Sequence, residues 1–214
     1  MIGTIVEFIL LLIAHAAAGI YSSTLKFSKK ITYIIWGTWI AMQTGLLFFT
    51  EFVLTNWALQ FFVGFVLSLV GQYVIFFVTT KGRLAQRIFT MLTYSIFFCI
   101  AMSLFTMIRG SFSELHWALT ALIQAVLLSA IVVYFLRYVC TLCRAASKNI
   151  TTGWAPLIFV NVVFIITIIL SSVFPIRLTS FRDPSFITFV FLSISIMAVY
   201  PVIFSSIKSM SEAA

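Results

Sequence analysis

His116-Trp-Ala-Leu-Thr-Ala-Leu-Ile-Gln-Ala-Val-Leu-Leu-Ser-Ala-Ile-Val-Val-Tyr-Phe-Leu-Arg137 contains no Asp, Glu, Lys or Arg before its last residue. Its Leu, Ile, Val and Ala residues occupy every face of a 3.6-residue helix, and a helix apolar all round is either deeply buried or surrounded by lipid. At 1.5 Å per residue, roughly 20 residues cross a hydrocarbon core of about 30 Å. Six more segments read the same way: Ile2–Ser22, Ile31–Thr50, Ala58–Thr79, Arg87–Ile108, Ala155–Phe174 and Phe186–Ile207. None shows the alternation of a barrel strand, and a backbone in lipid must satisfy its own polar groups, so helices remain. The expected fold is all-α: a polytopic integral membrane bundle of about seven transmembrane helices, multi-pass in the cell membrane, with the lipid bilayer as its first partner.

Composition agrees. The 214 residues are 63% hydrophobic and 8% charged, whereas soluble domains are about half apolar and a quarter charged. Seven spans use almost the whole chain and leave no room for a soluble catalytic domain. Ala14-His15-Ala16 mimics a signal-peptidase site, but the first segment lacks a basic leader and carries Glu7, so it reads as a span.

The net charge is +8, from 13 Lys+Arg against 5 Asp+Glu. Lys26, Lys29, Lys30, Lys81, Arg83, Arg87, Arg137, Arg144, Lys148 and Lys208 follow the odd-numbered segments; only Arg109, Arg177 and Arg182 fall on the other side. The positive-inside rule then puts the N-terminus outside and the C-terminus in the cytoplasm. It also accounts for the basic charge without nucleic acid, which is not expected as a partner. Trp57 and Trp117 mark the outer interface and Trp154 the inner one. The Asn149-Ile-Thr151 sequon lies on the cytoplasmic side, where it stays unmodified.

Polar residues inside spans are costly in hydrocarbon and so carry information. Counted from the outer ends, Glu7, Gln43, Gln124, Ser193 and Ser195 lie roughly 7 to 13 Å deep, and His15, Gln72, Tyr94, Asn161 and Tyr200 roughly 20 Å deep. The two layers read either as an outward-facing ligand cavity above a polar coupling core, or as interhelical hydrogen bonds of about 0.6 kcal/mol each. Glu7 is expected to meet a cationic ligand group or an outer arginine such as Arg177 or Arg182. His15 is either a group titrating near neutrality or a packing residue. The link from Pro175 to Pro184, with Arg177, Arg182 and Asp183, is the preferred ligand-proximal loop; its alternative is a connector whose arginines rest on lipid phosphates. Gly37, Ala41 and Gly45, like Gly64, Ser68 and Gly71, form stripes that let helix backbones approach closely.

Cys140-Thr-Leu-Cys143 has the spacing of half a zinc site or a redox pair. No second such pair and no nearby His complete it, so neither a metal nor another cofactor is expected. With Arg137, Arg144 and Lys148 it reads as the basic end of a helix on anionic lipid. No nucleophile motif, phosphate loop or paired carboxylate appears, so no catalytic residue is assigned. Lys208 lies at the exit of its span, which excludes a retinal-type Schiff base.

Tyr200-Pro201 predicts a kink in the last helix, and Ile207, Met210 and Ala214 keep the spacing with which a coiled-coil seam begins. Residues 1–207 therefore read as a transmembrane sensor bundle and residues 208–214 as the start of a cytoplasmic signalling helix. On these short-looped helices, basic inner loops, and the stretch from Phe181-Arg-Asp-Pro184 to Tyr200-Pro-Val-Ile-Phe-Ser-Ser206, the chain resembles the membrane sensor region of bacterial quorum-sensing-type histidine kinases, those like the accessory gene regulator receptor with a GHKL-type ATPase domain. The resemblance implies sensing of an extracellular peptide or small-molecule ligand and a homodimer through the last helix that drives a cytoplasmic kinase. That family's phosphoacceptor His and ATP-binding boxes are not in these residues, so the chain itself is not expected to be an enzyme. Two other classes stay open: a small multi-helix transporter or channel for a small solute, which needs a continuous polar path, and a membrane thiol peptidase, which needs Cys140 or Cys143 beside His15.

Overall fold

The computed structural model describes residues 2–53, 67–112, 116–141, 144, 154–173 and 180–212. The helices are α1 (Ile2–Ser22), α2 (Lys29–Val53), α3 (Leu67–Thr79), α4 (Leu84–Ser111), α5 (Trp117–Tyr134, continued by the π-helical turn Phe135–Val139), α6 (Trp154–Val173) and α7 (Ser185–Glu212). Two short strands, β1 (Thr24–Leu25) and β2 (Thr80–Lys81), pair antiparallel with Thr24 opposite Lys81.

The protein is all-α. Four helical stretches are long and apolar enough to cross a membrane: Lys29–Thr50, Leu84–Ser111, Trp117–Val139 and Trp154–Ser171. Three more apolar stretches, Val6–Ser22, Val70–Thr79 and Ser185–Tyr200, are shorter over the described residues. The exposed surface has the character of a membrane protein: Ile187 is 77% exposed, Phe191 74% and Phe159 68%. In water such side chains would forfeit about 25 cal/mol for each Å² left uncovered, a loss that lipid removes.

Helix α4 is the centre of the bundle. Of its apolar window 61% is buried, against 33% or less for the other three long helices, because it packs on α1, α5 and α6 and touches α3. Helix α1 packs on α2, α4 and α5, while α7 lies along α6. Fully enclosed Phe76, Ile96, Ile100, Met107, Val139 and Phe189 fill the spaces between them. Of the small-residue stripes, Gly71 is used at close range: the Trp39 ring of α2 occupies the position a Cβ would need. Gly37 and Gly45 instead face open space.

Backbone bonds gather the helix ends at two poles. At one, Lys26 N–H donates to the Thr79 carbonyl at 2.8 Å, Arg87 donates to the Phe77 carbonyl at 3.0 Å, and Cys140 donates to the Tyr21 carbonyl at 2.8 Å. Gly82, at φ +122°, makes the turn from β2 into α4 that a side chain would strain. Trp154 is also here, with its ring buried against Phe89. At the other pole Arg109 faces Glu7, and Phe181 N–H donates to Ser111 Oγ at 2.8 Å. The first pole holds Lys26, Lys29, Lys81, Arg83, Arg87, Arg137 and Arg144, and is called the basic pole below.

Two outcomes follow from this arrangement. In a cysteine-free background, Arg182→Cys and Lys81→Cys should react with a membrane-impermeant maleimide from opposite sides of the membrane, one on intact cells and the other only after permeabilisation; reaction of both from one side would refute the two-pole bundle. Gly71→Ala should displace Trp39 and cost about 1–3 kcal/mol, seen as a lower unfolding midpoint in detergent, whereas Gly37→Ala should leave the midpoint unchanged.

Candidate functional site

Asn161, on the face of α6 that meets α4 and α7, organises the deep polar cluster. Its Nδ2 donates to Thr93 Oγ1 at 2.9 Å and to the Phe89 carbonyl at 3.2 Å, and its Oδ1 accepts from the Tyr200 hydroxyl at 2.7 Å. Thr93 Oγ1 in turn donates to the Phe89 carbonyl at 2.9 Å. All three side chains are buried. An amide has four hydrogen-bonding positions, and three are filled here, in a low-dielectric setting where each bond is strong and each omission costly.

A second junction lies beside it and arises from Pro201. Proline has no N–H, so the carbonyl four residues earlier, that of Met197, loses its helical donor. The Tyr134 hydroxyl of α5 donates to that carbonyl at 2.8 Å. Tyr134 immediately precedes the π-helical turn, and such turns reset which way the following side chains point. The turn ends at Cys140, whose S–H donates to the Tyr21 carbonyl near the end of α1 and whose sulfur accepts from Arg144 at 3.6 Å. Burial pushes the Cys140 thiol up, partly opposed by the Arg144 guanidinium. It is thus held as a thiol that donates, whereas a peptidase nucleophile needs the thiolate. Cys143 lies outside the described residues.

His15 is buried on α1, edge-on to the rings of Tyr94 and Phe98 with centroids 4.6 and 4.7 Å away. It borders a cavity of about 30 Å³ shared with α4 and α5. Gln72 is buried on α3, and the neighbouring Tyr73 hydroxyl lies 3.2 Å from Ser95 Oγ of α4.

At the opposite pole the sequence-predicted ligand residues have mostly separate duties. Glu7 faces Arg109 at 4.0 Å, not Arg182, because α4 packs beside α1 there; Arg177 lies outside the described residues. Gln124 is fully enclosed and donates to the Phe105 carbonyl at 3.3 Å. Gln43 is also buried, on α2. Asp183 accepts from Ser180 N–H at 2.7 Å and closes the turn that starts α7, while Arg182 beside it is exposed. Ser193 and Ser195 donate to carbonyls of their own helix. A groove of about 410 Å³ opens between α6 and α7, with Thr167, Ser171, Thr188 and Ser195 among otherwise apolar walls.

Sequence reasoning did not foresee Thr93, Arg109, Ser111 or Tyr134. For Tyr134 a signal existed: a proline inside an apolar span demands a donor for its freed carbonyl, and a tyrosine on another helix is a fitting source. Comparison of the chain with protein families, with curated proteins and with solved structures finds no match.

Removing the buried bonds should reveal coupling between α6 and α7. Asn161→Leu and Tyr200→Phe should each lower stability in detergent. Their double mutant should fall short of the sum by about 0.6 kcal/mol, and at most about 1.7, as measured for interhelical bonds. Strict additivity would mean that the 2.7 Å contact contributes nothing.

Proposed function

We propose that the chain is a membrane-embedded sensor: an extracellular peptide or small molecule acts at the pole carrying the Ser180–Asp183 turn, and α7 passes the change to a cytoplasmic histidine kinase output. The observation that carries this reading is the way α7 is held. Its leading turn is bonded to the end of α4 through Phe181 and Ser111, and its middle is bonded to α5 and α6 through Met197 and Tyr200. Its 28 residues span about 42 Å, more than the hydrocarbon thickness of about 30 Å. A shift at the turn therefore has one continuous helix to travel along.

On this reading the N-terminus is outside, the C-terminus cytoplasmic, and all seven helices cross the membrane. Arg182 and Asp183, with Glu7, Gln43, Gln124 and Arg177, belong to the ligand-responsive pole; His15, Gln72, Asn161, Tyr200 and Pro201 belong to the coupling core. A transporter would need its deep polar groups to line a path for solute, whereas Asn161, Thr93 and Tyr200 are engaged with one another. The resemblance to quorum-sensing kinases supplies the identity of the output.

The dimer is the accessible test. Ile207→Cys and Met210→Cys should form disulfides between chains in native membranes, and Lys208→Cys should not; adding Asn161→Leu should change the yield at both positions. Equal cross-linking at all three positions, or none at any, would overturn the dimeric signalling helix and return the reading to a transporter.

A further inference from the structure

A groove of about 260 Å³ opens at the basic pole between the end of α1, the start of α2 and the segment following α5. Lys29 and Arg144 line it together with Tyr21, Tyr33, Ser23 and the apolar Ile20 and Leu25. The two cations come from segments far apart in sequence, so the fold and not local composition brings them together. None of the five acids of the sequence, Glu7, Glu51, Glu114, Asp183 and Glu212, belongs to the segments 20–33 and 137–144 that build this site. Among the described residues neither Lys29 nor Arg144 is paired with a carboxylate, and an anion supplied from outside can satisfy both.

The surroundings favour an anion further. Ser28 begins α2, accepting from Ile31 N–H at 3.4 Å, so the positive end of that helix dipole is at Lys29. The negative end of α1 is masked, because Ser23 donates to the Gly19 carbonyl at 2.7 Å and Cys140 to the Tyr21 carbonyl. Tyr21 and Tyr33 both line the groove, and a phenolic hydroxyl can donate to an anion.

The groove also continues toward the bilayer. Lys29, Tyr33, Gly37, Ala41 and Gly45 form one i, i+4 row of α2, and all five are exposed. Nothing lies within 4 Å of where a Cβ would stand on Gly37 or Gly45. The row runs about 24 Å from Lys29, more than the roughly 15 Å depth of one leaflet. A free phosphate has no use for such a track, whereas an acyl chain does. We infer that Lys29, Tyr33 and Arg144 hold the phosphate of one anionic phospholipid of the adjacent leaflet, with an acyl chain lying along Gly37, Ala41 and Gly45. The inference does not rest on the sensor reading.

The test uses the full chain in nanodiscs of phosphatidylcholine alone, or of phosphatidylcholine with 20% phosphatidylglycerol (roughly the content that saturates a micromolar site). Phosphatidylglycerol should raise the unfolding midpoint by about 2–4 °C. The double variant Lys29→Gln/Arg144→Gln should keep the phosphatidylcholine midpoint and lose the rise. Lys81→Gln/Arg83→Gln, at the same pole but outside the groove, should retain it. Gly37→Leu should reduce it by obstructing the track. An equal loss in both double variants would mean diffuse surface attraction, a rise produced by inorganic phosphate in phosphatidylcholine discs would mean a free-anion site, and no rise at all would mean no site; each overturns the inference.

Discussion

A backbone carbonyl held away from water without a donor is costly, and Pro201 leaves one such carbonyl within α7, at Met197. The answer has to come from another helix. Tyr134 supplies it, which fixes the height and rotation of α5 against α7. With Tyr134 fixed, the π-helical turn that follows carries the chain round to Cys140, whose S–H satisfies one of the last carbonyls of α1. A single missing N–H in α7 is thereby connected, through side chains that each meet a local need, to the far end of α1. Asn161 performs the same service one turn away, joining α7 to α4 through Tyr200 and Thr93.

That constraint explains why α4 is central. A helix packed on several neighbours has no lipid-facing surface to spare, and α4 is the most deeply buried of the long helices. It carries a run of enclosed polar side chains, Thr90, Thr93, Tyr94 and Ser95, of which Thr93 meets Asn161 of α6 and Ser95 meets Tyr73 of α3. The peripheral helices carry the opposite pattern, with Phe159, Ile187 and Phe191 turned outward. Burial by protein and burial by lipid divide the sequence between them, so apolarity alone does not tell which face of a span is interior.

The elements were legible because a run of apolar residues ended by charge, Gly or Pro needs no tertiary information. The segment expected at Ile2–Ser22 is the observed α1, and Ala155–Phe174 differs from α6 by one residue at each end. The last span, expected to end at Ile207 and to run on as a helix over 208–214, is helical to Glu212. Its polar Ser, Lys and Glu residues are poorly suited to lipid but fully compatible with a helix in water. The shared height of one pair was legible too, since Asn161 and Tyr200, placed at one level by counting residues, do bond. Rotation was not. Gln43 and Gln124 share a level, yet each is buried on its own helix, and Glu7 pairs with Arg109 because of which helix lies beside α1. Rotation depends on the packing of several helices at once, and a single span carries no record of it.

Magnitudes bear on the sensor reading. The Tyr134–Met197, Tyr200–Asn161, Asn161–Thr93 and Asn161–Phe89 bonds contribute about 0.6 kcal/mol each if they follow the average for interhelical bonds, roughly 2–3 kcal/mol together. Allosteric coupling energies fall in a similar range of about 1–3 kcal/mol. A core held by large buried ion pairs would lie beyond the differential affinity of a modest ligand, and a purely apolar interface would leave the rotation of α7 less defined. A few weak, directional bonds around one proline hold α7 in a defined setting, and on the sensor reading proposed above the free energy of a ligand at the Ser180–Asp183 turn is of the size needed to change it.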